Sequence, residues 1–332
     1  MSSANQPGIQ SVHVNRPLTN ISVAMWQDPS VFAFNRVFPN IPVQNKSDSY
    51  FKFRLADSLR DDMRPRAPGA ESAGSGYNYD QDNYSINVYA LHHDIADQIR
   101  ANADSPLQLD QDTTRWLTQQ AMIRQERLFA TRYLTAGVWG TDVTGVDSAP
   151  TGNQVLKWTD DASDPVADVK KYMTRVQLLS GVRPNVLVLS QDVRDALDTN
   201  PAIIDRIKYS GGISNNTPVT VNDSALAAVF GVEEVIVSSA IASTSAEGAA
   251  NPVNQFVSTG TALLAYRTRT PGTQVPTAGY RFSWRGYTGN NEGMLIKKFR
   301  MEHLEADRVE ATLATDMKVS YPEAAALFTA LV

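Results

Sequence analysis

Residues 109–136 carry the longest helical pattern in the chain, and Gly137 stands where such a helix would stop. Its apolar residues do not form one narrow stripe. Trp116 and Ile123 fall on one face, Met122, Phe129 and Tyr133 on another, and Leu117, Ala121 and Leu128 on a third. Arg115, Arg124, Glu126, Arg127 and Arg132 are set between them. A helix wetted along one side needs a single apolar stripe. This one is expected to be contacted from several directions.

A second organising stretch runs from 183 to 212. Val186, Leu187, Val188 and Leu189 make a short continuous apolar run, the mark of a buried strand. Ser190 offers a helix N-cap, and Val193, Ala196 and Leu197 recur at helical spacing. Asn200-Pro201 stops that helix and starts another, with Ile203, Ile204 and Ile207 facing one way; Ser210-Gly211-Gly212 closes the unit in a loop. Residues 165–180 are amphipathic through Val166, Val169, Met173, Val176 and Leu179. Residues 226–230 with Gly231 form a helix end, and 235–237, 261–267 and 279–284 read as strands. This order predicts a mixed sheet with helices packed against it.

The N-terminal third has a different character. Residues 1–16 are polar and without period, a loose arm. From 17 to 43, Leu18, Ile21, Val23, Met25, Trp26, Val31, Phe32, Phe34, Val37, Phe38, Ile41 and Val43 crowd among prolines. A segment so apolar and irregular has to be covered, by its own domain or by a neighbouring subunit. In 45–91, Phe51, Phe53 and Leu55 alternate with Lys52 and Arg54, and Tyr84, Ile86, Val88 and Ala90 alternate with Ser85, Asn87 and Tyr89. That is the pattern of a two-stranded ribbon. Its tip, 60–76, has mixed charge and little to bury. A ribbon alone is marginal in water, so it is expected to lie on a surface it does not carry itself. Residues 92–102 read as a short helix, with Ile95 and Ile99 one turn apart. The turn-rich 138–164 reads as a hinge anchored by Trp139 and Trp158. Strand-like alternation returns from 294 to 320, and 324–332 is a short apolar tail.

Candidates for chemistry are few. There are no cysteines, hence no disulfide, thiolate metal site or cysteine nucleophile. His92-His93-Asp94 is the one cluster with a metal or acid–base look, and adjacent histidines at a helix start would diverge. His13 and His303 are isolated. Asp61-Asp62 stands among Arg60, Arg64 and Arg66, which suggests solvated ion pairs. Ser210-Gly211-Gly212 lacks the lysine of a nucleotide loop. A cytosolic α/β hydrolase would need a nucleophile with a partnered base, and none is apparent. The net charge of -5 argues against a broad phosphate-gripping face. No apolar run approaches the ~20 residues of a membrane helix, and no cofactor is expected.

Two stretches and the order of elements carry a family resemblance. The run Pro-Asn-Val-Leu-Val-Leu-Ser at 184–190, followed by Asn200-Pro201, Ile203 and Arg206-Ile207-Lys208-Tyr209, resembles the central domain of tailed-phage major capsid proteins. Pro17-Leu18-Thr19 and the run Val-Phe-Pro-Asn-Ile-Pro-Val at 37–43 resemble the N-terminal region of one branch of them. The resemblance implies an α+β fold of the Hong Kong 97 type: an N-terminal arm at 1–44, an extended loop at 45–91, a peripheral domain at 92–150 and 285–332 with a spine helix at 109–136, and a central (axial) α/β domain at 151–284. It implies self-assembly as hexamers and pentamers into an icosahedral shell around double-stranded DNA, without sequence-specific binding. It further implies a portal protein, a separate scaffolding protein and room for a decoration protein, with assembly in the host cytoplasm and no membrane. Inter-subunit contacts are expected at Trp26, Phe34, Phe38, Arg54, Arg60, Asp61, Asp62, Arg64, Arg66 and Glu71, and an axial loop at Ser210, Gly211 and Gly212. Pro17 follows Met1 too closely for an N-terminal scaffold domain, and no lysine has the apolar context that cross-linking needs. A shell held by packing alone is expected. A cellular nanocompartment (encapsulin-like) shell protein resembles the same family and is the alternative.

Overall fold

The computed structural model describes residues 27–53, 57, 59–103, 108–210, 221–246, 251–272 and 275–332, with backbone alone at 53, 209 and 210. The first elements are α1 (Phe34–Val37), β1 (Asn40–Val43), β2 (Ser47–Phe53), β3 (Tyr79–Ser85), β4 (Asn87–Ala96), α2 (Asp97–Asn102) and α3 (Leu109–Tyr133). Then come β5 (Thr141–Val146), β6 (Gln154–Leu156), α4 (Pro165–Ser180), β7 (Val186–Ser190), α5 (Gln191–Thr199), α6 (Pro201–Ser210) and α7 (Asp223–Phe230). The chain finishes with β8 (Glu234–Ser238), β9 (Ile241–Ser243), β10 (Asn254–Phe256), β11 (Ala262–Ala265), β12 (Gly279–Trp284), α8 (Arg285–Thr288), β13 (Met294–Met301), β14 (Ala306–Val319) and β15 (Ala325–Thr329).

One sheet has six strands in the order β6-β5-β15-β11-β7-β8. β7 is buried at every residue, and its alternate side chains serve two layers. Leu187 and Leu189 share a core with Tyr172, Met173 and Val176 of α4, Leu197 of α5, Ile203 of α6 and Phe230 of α7. Val186 and Val188 join Phe34, Phe38, Phe129, Tyr133 and Trp139 instead. Covered on both faces, the strand is apolar throughout, which is why it shows no alternation in sequence.

The second sheet runs β1-β12-β14-β13, with β4 also paired to β14. α3 links the two sheets. It has 25 residues and no glycine or proline, a rod of about 37 Å at about 1.5 Å per residue. In its first half Leu117 packs with Ile95, Val309 and Ala311 of the second sheet. In its second half Phe129 and Tyr133 pack against α1 and the six-stranded sheet. Leu117 and Phe129 point about 120° apart around the axis, so the buried face rotates along the helix. That rotation is the physical content of the scattered apolar pattern.

The alternation from Tyr84 to Ala90 is not one strand. β3 pairs β2 and ends at Ser85. Ile86 turns inward, buried with Tyr84, Phe282 and Ala314, and its N–H donates to the Lys46 carbonyl at 2.9 Å. β4 then pairs β14 from Asn87↔Thr315 to Ala96↔Ala306. The helix expected at 92–102 is therefore strand as far as Ala96. Pairing along a 14-residue neighbour outweighs a short helix that is marginal by itself. α3 ends at Tyr133 rather than 136, because the Trp139 indole N–H donates to the Tyr133 carbonyl at 2.6 Å. Ser190 occupies the N-cap of α5, but its hydroxyl donates to the Thr261 carbonyl at 3.1 Å instead of capping the helix.

The apolar tail is not appended to the peripheral strands. It is β15, parallel to β5 and antiparallel to β11 in the six-stranded sheet. β12, in turn, pairs β14 in the other sheet. The division at 284/285 thus does not follow the sheets. Residues 325–328 are all buried, and such a run fits only where both faces are covered. Gly145 makes room for the tail, since a Cβ there would overlap the Ala330 carbonyl oxygen.

Candidate inter-subunit interface

The ribbon is rooted at its base and bare along its length. At the base Tyr84 stacks on Phe282 with ring centroids 4.6 Å apart, and Tyr50 lies 5.6 Å from the same ring. The Tyr50 hydroxyl donates to Asp82 at 3.2 Å, and burial followed by that carboxylate pushes its pKa up. Farther out, β2 and β3 form a two-stranded sheet among the described residues. Phe51 is 63% exposed and Tyr79 59%, their rings 5.2 Å apart and edge-on at 88°. Tyr77, Leu59 and Met63 are exposed as well, Met63 at 91%. Among the described residues no second layer lies beneath these aromatic and apolar side chains, the exposure expected of a contact surface.

At the tip, local bonds tie the two arms of the loop together. The Asn78 amide donates to Asp57 at 3.0 Å, Arg60 donates to the Gly76 carbonyl at 3.3 Å, and the Ser75 hydroxyl donates to Asp62. Arg60 also pairs with Asp57 at 3.4 Å and with Asp62 at 3.7 Å. Asp61 accepts from the Met63 amide at 3.2 Å, and Arg66 donates to the Ala70 carbonyl. Arg64 and Glu71 are exposed. The tip charges expected to face a neighbour are thus partly spent on keeping the tip in shape.

Two other expected contact residues lie elsewhere. Phe34 and Phe38 are buried in the chain's own core; Phe38 lies 4.7 Å from the Tyr133 ring and 6.2 Å from that of Trp139. They are corrected from interface to core residues, because the apolar 31–38 segment is covered by α3 and the six-stranded sheet. Trp26, Arg54, Gly211 and Gly212 lie outside the described residues, as does the Ser210 side chain; Ser210 ends α6. Phe51, Tyr79 and Met63 are not among the contact residues expected from the sequence. The available signal was that Phe51 alternates on a ribbon with no second layer.

His92-His93-Asp94 lies in β4, where neighbours point to opposite faces. His93 packs edge-on to Trp116 at 5.9 Å, and its burial lowers its pKa. Asp94 accepts two bonds from Arg308, both 2.7 Å, which hold its carboxyl below the usual range. The two histidines therefore cannot converge on one ion, and the aspartate serves to pin β4 to β14. Among the described residues no helix is long and apolar enough to cross a membrane.

No family model matches the chain. A major capsid protein of Burkholderia phage BcepMu is 26% identical over 304 residues, covering 90% of each chain. Among solved structures, a phage-related protein from Bordetella bronchiseptica RB50 matches with a TM-score of 0.66 at 21% identity, over 92% of this chain and 94% of that one. The mature capsid of bacteriophage PhiM1 matches with a TM-score of 0.60 at 13% identity, over 99% and 96%. The SrpI encapsulin of Synechococcus elongatus PCC 7942 matches with a TM-score of 0.52 at 13% identity, over 95% and 93%. The chain has the Hong Kong 97-type capsid fold of tailed bacteriophages, the fold that its sequence resembles.

Proposed function

We propose that the chain is the major capsid protein of a tailed bacteriophage, a structural subunit and not an enzyme, assembling as hexamers and pentamers around double-stranded DNA. The observation that carries this is the ribbon: among the described residues no further layer covers Phe51 and Tyr79 on its two strands or Met63 at its tip, in a chain with a capsid fold. The ribbon and the part of the 1–44 arm that precedes the docked 31–43 segment clamp neighbours, and the segment around α4 to α7 belongs to the axial domain, with its axial loop at Ser210, Gly211 and Gly212. Arg60, Asp61, Asp62, Arg64, Arg66 and Glu71 set the shape and charge of the tip. Trp26 and Arg54 join the clamp from the arm and the ribbon. A portal protein, a separate scaffolding protein and a decoration protein are the expected partners, and the inner wall touches DNA without reading its sequence. Assembly takes place in the host cytoplasm.

Electron microscopy of the purified protein, expressed with and without a scaffolding protein, tests this. Closed or tubular particles are the expected result. A stable folded monomer at high concentration under both conditions refutes it. The encapsulin alternative is favoured by fold alone, and the sequence likeness to a phage protein weighs against it. Particles carrying an enzyme cargo and no nuclease-protected DNA would decide for the alternative.

A further inference from the structure

Glu126 stands in the second half of α3 and is 0% exposed. A buried carboxylate is ordinarily paired with a cation. Among the described residues no cation is bonded to this one. Oε1 accepts from the Ser238 hydroxyl at 2.6 Å, at the end of β8, and Oε2 accepts from the Phe34 amide at 3.0 Å, at the start of α1. The Ser258 hydroxyl in turn donates to Ser238 at 3.1 Å. One carboxyl therefore fastens three parts: the long helix, the six-stranded sheet, and the 32–38 segment through which the N-terminal arm joins the body.

The charged groups on the surrounding elements are engaged elsewhere. Arg36 and Arg267 bond Glu234. Arg281 bonds Gln125 at 2.9 Å and Glu292 at 2.7 Å, with its guanidinium 5.5 Å from the centre of the Phe34 ring. Arg124 and Arg127 lie on the exposed side of α3. Burial pushes the Glu126 carboxyl above its usual range, and bonds from Ser238, Phe34 and Ala33 pull it only part of the way back. Either protonation state can be bonded. The Phe34 amide needs only an acceptor, while the Ser238 hydroxyl can rotate from donor to acceptor.

We infer that Glu126 is a charge-sensitive latch for the base of the N-terminal arm: neutral, it holds 32–38 docked on α3 and β8; ionised, it loosens them. The sign follows from linkage. The docked carboxyl titrates above the free one, so docking is tightest below the ordinary carboxyl range and weakens as pH rises through the docked value. The latch rests on the geometry of a single chain and holds whether or not the shell reading does.

Amide exchange of the full-length protein, followed by mass spectrometry on peptides covering 32–38 and corrected for the chemical rate at each pH, tests the latch. Protection there should fall as pH rises, about tenfold for each unit by which the docked carboxyl lies above the free one. A peptide from β7 should hold constant. Glu126→Gln keeps an acceptor for Phe34 and a donor for Ser238 without the charge. It should give a flat profile, as protected in mild base as the native protein in mild acid. Ser238→Ala removes a donor that favours the charge and should shift the loss of protection to higher pH. A Glu126→Gln profile with the native slope, or with 32–38 open at every pH, overturns the latch. So does an unmoved Ser238→Ala profile.

Discussion

Replacing Phe328 by alanine tests whether the last strand of the chain is core. The side chain is 0% exposed, 5.6 Å from the Trp158 ring and 5.3 Å from that of Tyr172, the latter edge-on at 85°. Truncating a buried phenylalanine costs about 3–5 kcal/mol, from lost transfer energy and the cavity left behind. Here β11 and β5 hold the backbone on either side, so the site cannot collapse, and the edge-on pair is lost as well. Both push the expected loss to about 4 kcal/mol or more. With an m-value of about 3 kcal/mol/M in urea, the midpoint should fall by about 1.3 M. Unassembled protein and its tryptophan fluorescence give the readout. The companion variant is Phe51→Ala, which removes an equal ring from the bare ribbon. It should change stability by no more than about 0.5 kcal/mol and yet impair particle formation. A midpoint shift below about 0.3 M for Phe328→Ala, or an equal shift for both variants, would refute the placement of the tail in the core.

Deleting residues 64–74 should leave far-ultraviolet circular dichroism unchanged and abolish normal shells; normal shells from the deletion would remove the tip from the interface. Asp94→Asn should destabilise the protein by about 1 kcal/mol near neutrality, the upper end for a partly exposed pair. Because Arg308 depresses the Asp94 carboxyl, its contribution is present above the ordinary carboxylate range and lost as pH falls through the lowered value. Urea midpoints for native protein and variant should therefore converge in acid, and a constant gap would contradict the pairing. Boiled particles should run on a denaturing gel as one band at the mass of a single chain. No lysine in the chain is buried, so none has the apolar setting that an isopeptide bond requires, and a ladder of multimers would show otherwise.

Elements whose partners are local were legible in the sequence. The β7-α5-α6 unit falls where its apolar run, its spacing and Asn200-Pro201 put it, with Asn200 Oδ1 accepting from the Ala202 amide at 3.0 Å. The long helix was legible too, including its need for neighbours on several sides. What failed depended on partners far along the chain. Whether 92–96 is strand or helix is decided by β14, more than two hundred residues on. The tail reads as an appendage until β5 and β11 are seen on its two edges. Glu126 looked like one more charge interrupting an apolar pattern, because nothing near it in sequence announces the Phe34 amide or the Ser238 hydroxyl. Phe34 and Phe38 sat in a segment whose need for cover was plain while the covering surface was not.

In the proposed shell of hexamers and pentamers one chain must fit slightly different neighbours, and the fold limits where that adjustment can occur. α3 has no glycine or proline along its length, and neither has β14, which pairs β4, β12 and β13. Helix and strand are packed together through Leu117, Val309 and Ala311, so this part moves as a body. The six-stranded sheet is filled on both faces and is equally stiff. Adjustment is left to the connections. One is the ribbon beyond its Phe282 anchor, whose two strands pair with no third strand among the described residues. The other is the 32–38 segment, which packs its apolar side chains on both bodies and meets them at a carboxyl that has no counter-ion among the described residues. A cation beside Glu126 would make that fastening permanent; without one, docking can respond to the charge on a single side chain.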